Sequence, residues 1–125
     1  MAVITRRVSF AGTVDVEPVR GHIDLAYDTD RPFHVFITFI EDHTTWFFAR
    51  DVLARRVPGT HDVRVDVDGM WTILRLVSPE GEAEIKIVRA HIDAFLAATT
   101  RAVPYGAEKL DFDAELDALL KDGAR

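Results

Sequence analysis

Alternating apolar and polar residues dominate the second half of the chain and predict β-strands. Residues 62–67, DVRVDV, place valine on one face of an extended segment and charged side chains on the other. The Asp-Gly pair that follows is a strong signal for a two-residue hairpin, because such turns need positive φ. Residues 70–77, MWTILRLV, are apolar on both faces, and an SPEG turn at residues 78–81 leads into a third run at residues 82–88. These runs predict an antiparallel meander of three strands.

The first half of the chain predicts further strands with a less regular pattern. Extended segments are indicated at residues 3–10, 13–17, 22–27, 33–40 and 44–48. Residues 33–40 are nearly all apolar, which is typical of a central strand that is covered on both faces. Pro18 ends the run before it or marks an edge strand. The whole chain is therefore expected to contain about seven or eight strands, paired in antiparallel sheets.

Three helical segments complete the predicted architecture. Residues 50–56 are expected to form a short helix, which a Val-Pro-Gly sequence ends. Residues 89–103 carry an apolar stripe at helical spacing, made of Ile92, Phe95, Leu96, Thr99 and Val103. A last helix is predicted to open near Asp111, with Phe112, Leu116, Leu119 and Leu120 on one face and Asp113, Glu115 and Asp117 on the other. The order of elements predicts one strand-rich α+β domain over residues 1–125, with a short helix and two C-terminal helices.

Composition excludes several classes of protein. The chain has 125 residues, no cysteine and a formal net charge of -6. Disulfides and thiolate metal sites are therefore excluded, and binding to a phosphate backbone is disfavoured because it depends on clustered Lys and Arg. Arg6 and Arg7 interrupt the first apolar stretch, so no secretory signal is predicted, and no window has the roughly 18 apolar residues of a membrane span.

Candidate catalytic groups lack the spacing that chemistry requires. No pair of histidines has the i, i+4 spacing of a zinc-binding helix, and neither Ser9 nor Ser78 has the glycine-flanked turn of a nucleophile. Four turn residues could meet as a metal site, although solvated turn residues are the simpler interpretation: Asp42, His43, His61 and Asp62. The sequence therefore predicts neither an enzyme nor a cofactor.

The segment TTWFFARDVLARR, residues 44–56, is the most unusual local pattern. Alternation places Trp46 and Phe48 on one face of a strand and Phe47 on the other, so we expect both faces to be covered. The cover would be a second sheet, a helix or a neighbouring subunit, and Trp71 is assigned to the same core or oligomer surface. A second candidate surface is the last helix, with Asp111, Phe112, Asp113 and Leu116 as possible partner contacts; packing on its own domain is the alternative.

Several segments together resemble one known family. RPFHVFITF, TTWFFARDVL, GTHDVRV, SPEGEAEI, AFLAATTRAVPYGAE and DFDAELDALL follow the order and spacing of the SsgA-like sporulation-specific cell-division proteins of actinobacteria, particularly the SsgB type. The resemblance covers about residues 25–120. It implies a fold similar to the whirly proteins, assembled as a trimer. It also implies a cytoplasmic, non-enzymatic protein at the division septum, which recruits the tubulin-like GTPase FtsZ and promotes its polymerisation, with an SsgA-type protein as a further partner.

Two functional hypotheses remain from the sequence. The first is this division regulator, acting through protein contacts on a homo-oligomer. The second is a single-stranded nucleic-acid-binding module, which whirly-like folds also provide and which would need a basic, aromatic sheet face. The residues available for such a face are Arg64, Trp71, Arg75 and Lys86. The net charge of -6 favours the first hypothesis.

Overall fold

The computed structural model describes residues 2–108, which form seven strands and two helices. The elements are β1 (Val3–Val14), β2 (Glu17–Asp28), β3 (His34–Phe39), β4 (Thr45–Ala49), α1 (Arg50–Leu53), β5 (Val63–Asp68), β6 (Trp71–Ser78), β7 (Gly81–Val88) and α2 (Arg89–Ala102). All seven strands belong to one antiparallel, curled sheet in the order β4-β3-β2-β1-β7-β6-β5. The strand-rich α+β prediction is confirmed, and in the described residues a single sheet replaces stacked sheets. The predicted second C-terminal helix lies outside the described residues.

The long hairpin of β1 and β2 corrects the sequence prediction at the N-terminus. The two strands pair over their full length, from Val3 opposite Asp28 to Val14 opposite Glu17. The predicted strand at residues 13–17 is wrong, because a two-residue turn at Asp15 and Val16 lies inside it. Both turn residues have positive φ, 48° and 64°, as a type I′ hairpin requires. Alternation continued across this turn without a glycine, so the pattern did not reveal it.

The predicted meander of β5, β6 and β7 is confirmed, with one shift in its first turn. Asp68 pairs with Trp71, so the turn residues are Gly69 and Met70 rather than the Asp-Gly pair. Gly69 has φ of 60° at the first turn position, which is the arrangement of a type II′ hairpin. The second turn follows the prediction, since Ser78 pairs with Gly81 around a Pro-Glu pair.

The apolar strand β3 is an interior strand, as predicted, and pairs with β2 on one side and the edge strand β4 on the other. The expectation that both of its faces are covered is wrong for the chain on its own. Val35 and Ile37 are buried in the core, whereas Phe36 lies on the opposite face beside Phe47. The apolar residue on the outer face of β3 therefore contacts an aromatic ring of β4 and is not covered by another layer.

The core fills the inner face of the sheet. Helix α2 contacts β1, β6 and β7, and it buries Ile92, Phe95 and Thr99 of the predicted stripe. Burial of apolar side chains on this scale is the main stabilising contribution to such a fold. The largest side chains from the strands that are fully buried are Ile23, Leu25, Tyr27, Ile37, Leu74, Leu76, Ile85 and Ile87. Helix α1 closes the end of the core with Val52 and Leu53.

Candidate functional site

A buried arginine lies where β4 meets α1. The side chain of Arg50 is only 1% exposed, although a guanidinium is almost never buried without partners. Its Nη1 donates to the carbonyl oxygen of Val103 at 2.6 Å, and its Nη2 donates to Oε1 of Glu108 at 2.6 Å. The guanidinium also lies 5.0 Å from the ring centre of Tyr27 and 4.6 Å from that of Tyr105, within the range of cation–π attraction. We call these five residues the arginine cluster.

The pKa values of three members of the arginine cluster are shifted by their surroundings. The hydrogen bond from Arg50 is the main reason that the pKa of Glu108 lies below its ordinary value. The Glu108 carboxylate also accepts a hydrogen bond from the Gly106 backbone N–H at 2.8 Å. Burial raises the pKa of both Tyr27 and Tyr105, so both phenols stay neutral at physiological pH.

The arginine cluster joins two segments that are 58 positions apart in the chain. Arg50 belongs to the FARDVL segment, and Glu108 ends the VPYGAE segment that follows α2. The contacts fix residues 103–108 against the start of α1. The sequence does not reveal this role, because a charged residue at a helix start is usually solvated. The only available signal was the occurrence of both segments in one motif set.

The aromatic segment of β4 divides between the two faces of the sheet. Phe48 is buried and Trp46 is partly buried on the inner face, as predicted. Phe47 is 64% exposed, so the expectation that its face is covered is wrong for the chain on its own. Its ring lies 5.9 Å from His34 and 6.1 Å from Phe36, measured between ring centres. We call His34, Phe36 and Phe47 the outer aromatic patch.

The sequence-predicted aromatic residues do not form one site. Trp71 begins β6 and faces outwards, while β4 lies at the far edge of the seven-stranded sheet. Trp46 and Phe48 contribute to the inner face, and Phe47 alone of the β4 residues provides exposed aromatic surface.

The proposed nucleic-acid face has mixed charge. Its four candidates, Arg64, Trp71, Arg75 and Lys86, do share the outer face of β5, β6 and β7. Acidic side chains alternate with them on the same face, namely Asp66, Asp68 and Glu84. Arg75 donates to Glu84 at 3.1 Å, which neutralises part of the positive charge. A continuous basic track for a phosphate backbone is therefore not formed by these residues.

The other sequence candidates do not form a site in the described structure. Asp111, Phe112, Asp113 and Leu116 lie outside the described residues. Within residues 2–108, no three His, Asp or Glu side chains are grouped in a way that could hold a metal ion, so the four turn residues do not assemble. No helix in this part of the chain is long and apolar enough to cross a membrane.

Comparison with known proteins identifies the family. Residues 22–108 match the family model described as Streptomyces sporulation and cell division protein, SsgA. The sporulation-specific cell division protein SsgB of Streptomyces coelicolor is 40% identical over 110 residues, covering 78% of this chain and 80% of its own length. SsgB of Frankia casuarinae is 35% identical over 118 residues, covering 85% of this chain and 82% of its own.

Solved structures agree with the sequence relatives. One comes from work on SsgB mutations that correlate to longitudinal cell division during sporulation of Streptomyces coelicolor; its TM-score is 0.75 at 34% identity, covering 86% of this chain and 91% of that one. An SsgA-like sporulation-specific cell division protein from Thermobifida fusca has a TM-score of 0.74 at 28% identity. The match covers 98% of this chain and 96% of that one. The matched range includes both Arg50 and Glu108. The chain therefore belongs to the SsgA family of sporulation and cell division proteins.

Proposed function

We propose that this protein is a non-enzymatic regulator of sporulation septation that recruits FtsZ to the septum site and promotes its polymerisation. The observation that carries the proposal is the family membership, since relatives covering most of the chain are named sporulation-specific cell division proteins. The cell-division role follows from the family. The resemblance described above adds three finer points to the proposal. These are FtsZ as the partner, an SsgA-type protein as a second partner, and a cytoplasmic location at the septum.

The described residues support a role in binding rather than catalysis. The partly buried carboxylate of Glu108, whose pKa is lowered, is held by Arg50 and a backbone N–H. These contacts fix one chain segment on another, which is a structural use of a buried ion pair. Recruitment needs no reacting group, because a protein that holds several FtsZ subunits side by side strengthens their filament through effective concentration.

The outer aromatic patch supports self-association. Exposed aromatic groups are enriched at protein interfaces, and Phe47 lies on the edge strand β4, where a second chain can approach both the aromatic side chain and the strand edge. We therefore propose a homo-oligomer, with a trimer favoured by the resemblance, in which Phe47 is covered by the next subunit. Several FtsZ sites on one oligomer would provide the avidity that recruitment needs.

The oligomer is tested by size exclusion with light scattering. Phe47→Ser should lower the measured mass towards that of one chain at micromolar concentration. Met70→Ser is the matched control, because Met70 is 63% exposed at a hairpin turn and lies away from β4. A wild-type monomer, or an equal loss of mass in both variants, would reject this interface.

The recruitment is tested by sedimenting FtsZ polymers. Purified protein is mixed with FtsZ and either GTP or GDP, and the pellets are compared. We expect the protein to pellet with FtsZ in GTP and to stay in the supernatant in GDP, because only GTP supports the polymer. Absence from the GTP pellet at protein concentrations up to tens of micromolar would oppose the proposal.

A further inference from the structure

An open groove lies on the inner face of the sheet, at the end away from the arginine cluster. It has a volume of ≈ 550 Å³, within the range of pockets that enclose a ligand or a few side chains. The turns that connect β1 to β2, β3 to β4 and β6 to β7 surround it. Its apolar floor is formed by Phe10, Phe39, Trp46, Leu76 and Ile85. We call this feature the acidic groove, for the rim described next.

The rim carries mainly negative charge. Five acidic residues line it, Asp15, Glu41, Asp42, Glu80 and Glu82, against one basic residue, Arg20. All five residues are exposed. One carboxylate oxygen of each of Asp15, Glu41 and Asp42 accepts a backbone hydrogen bond within the chain, and the negative charges still face solvent. An apolar floor with a rim of one charge sign is complementary to a segment with apolar side chains between opposite charges.

The β1–β2 turn adds apolar surface beside this rim. Val14 lines the groove and is partly exposed, and Val16 is 88% exposed next to rim residue Asp15. Val16 also has φ of 64°, a conformation that a β-branched residue rarely adopts. Nothing in the fold of the described residues requires valine here, since Asn or Gly would fit the turn better. Backbone strain of this kind is often found at binding positions.

We propose that the acidic groove binds a basic amphipathic segment of a partner protein, in which apolar side chains enter the groove and flanking Lys or Arg side chains meet the rim. The chain's own residues 109–125 fit less well, because they contain five acidic and three basic residues. A second copy with a net charge of -6 is disfavoured at this acidic rim, whereas the self-association proposed above uses the aromatic patch on the other face of the sheet. This inference does not depend on FtsZ: sedimentation with FtsZ can fail while the groove binds a basic segment, and the reverse also holds.

The test uses a synthetic probe of defined charge. A fluorescein-labelled peptide made only of leucine and lysine at amphipathic helical spacing is titrated with the full chain, and anisotropy is measured at 0.15 M salt. The counterpart peptide replaces every lysine with glutamate. In a Trp71→Phe background, the emission of Trp46, which lines the groove, reports binding at this location. We expect the lysine peptide to bind and to shift the Trp46 emission to shorter wavelength, and the glutamate peptide to do neither.

Charge reversal on the rim separates specific docking from general attraction. Glu41→Lys with Glu80→Lys should weaken binding of the lysine peptide at least about tenfold. The control Asp66→Lys with Asp68→Lys makes the same change in net charge on the outer face of β5. It should change the affinity by less than about twofold, because the Debye length is about 8 Å at this salt.

Three results would overturn the proposal. The first is equal weakening by the rim pair and the control pair, which would show general charge attraction. The second is binding without any change in Trp46 emission, which would place the peptide elsewhere. The third is a groove that is already filled, by residues 109–125 or by a second copy; acrylamide would then fail to quench Trp46 and the lysine peptide would not bind.

Discussion

Glu108→Gln removes the charge that compensates Arg50, and its cost can be worked out from the contacts. Arg50 is 1% exposed and its Nη2 lies 2.6 Å from Glu108 Oε1. A hydrogen bond between charged groups contributes about 1.5–3 kcal/mol, and removal of one partner of a buried pair costs about 3–5 kcal/mol. Glutamine keeps the shape and one acceptor oxygen, so we expect a loss of about 2–3 kcal/mol in the free energy of unfolding. At an m-value of about 2 kcal/mol/M this lowers the urea midpoint by about 1–1.5 M.

The loss of unfolding free energy caused by Glu108→Gln should depend on pH in a defined direction. The pKa of Glu108 is lowered in the folded state by the Arg50 hydrogen bond, from an ordinary value of 4.5. A carboxylate whose pKa is lower in the folded state than in the unfolded state stabilises the fold. This contribution is complete at pH values above the unfolded-state pKa and is lost as the pH falls through the folded-state pKa. The difference between wild type and Glu108→Gln should therefore stay constant from pH 7 down to pH values above 4.5, and narrow below it. Urea unfolding followed by tryptophan fluorescence at several pH values measures both quantities.

A surface pair provides the matched control. Arg7 Nε lies 2.8 Å from Asp24 Oδ1, with side chains 62% and 36% exposed. Asp24→Asn also removes one carboxylate from an arginine, but solvent and salt screen this pair, so its loss should change stability little. If Glu108→Gln costs no more than Asp24→Asn, or if its cost is the same at pH 3 and pH 7, the role given to the arginine cluster is refuted.

Three further substitutions test the packing and the turns by urea unfolding. Val16→Asn should stabilise the chain by about 1 kcal/mol, because Asn tolerates positive φ. The control Val57→Asn, in an ordinary exposed loop, should have little effect. Destabilisation by Val16→Asn would contradict the type I′ turn. Gly12→Ala should cost about 2 kcal/mol or more, since the new Cβ would overlap the Glu84 carbonyl oxygen across the strand pair, and a neutral result would contradict that close approach. Phe95→Ala should cost about 3–5 kcal/mol by opening a cavity under α2, and a loss below about 1 kcal/mol would mean that the helix does not close the core.

Much of the fold follows from local pattern. The alternation in residues 62–67 and the SPEG turn specify β5, β6 and β7, because each face of a half-buried strand imposes its own residue type. The stripe of Ile92 and Phe95 specifies the inner face of α2 in the same way. The β1–β2 turn at Asp15 and Val16 was not predicted from the sequence, because a strained valine occupies a position where Gly or Asn is usual.

The candidate sites follow less from pattern, since they depend on contacts across long stretches of chain. Arg50 and Glu108 meet only after α2 has crossed the sheet, and no local periodicity marks such a pair. Phe47 was expected to be covered because alternation reports which face a residue occupies, not what lies over that face. The acidic groove combines three separate turns, so its charge was visible in the sequence as scattered surface residues only.

The critical concentration of FtsZ tests the proposed function most directly. FtsZ assembly in GTP is followed by light scattering over a range of FtsZ concentrations, with and without this protein at a fixed, equimolar amount. If the protein promotes polymerisation, the concentration at which scattering begins should fall, and Phe47→Ser should weaken the effect by removing the avidity of the oligomer. An unchanged critical concentration with wild-type protein that is folded and oligomeric would contradict the account.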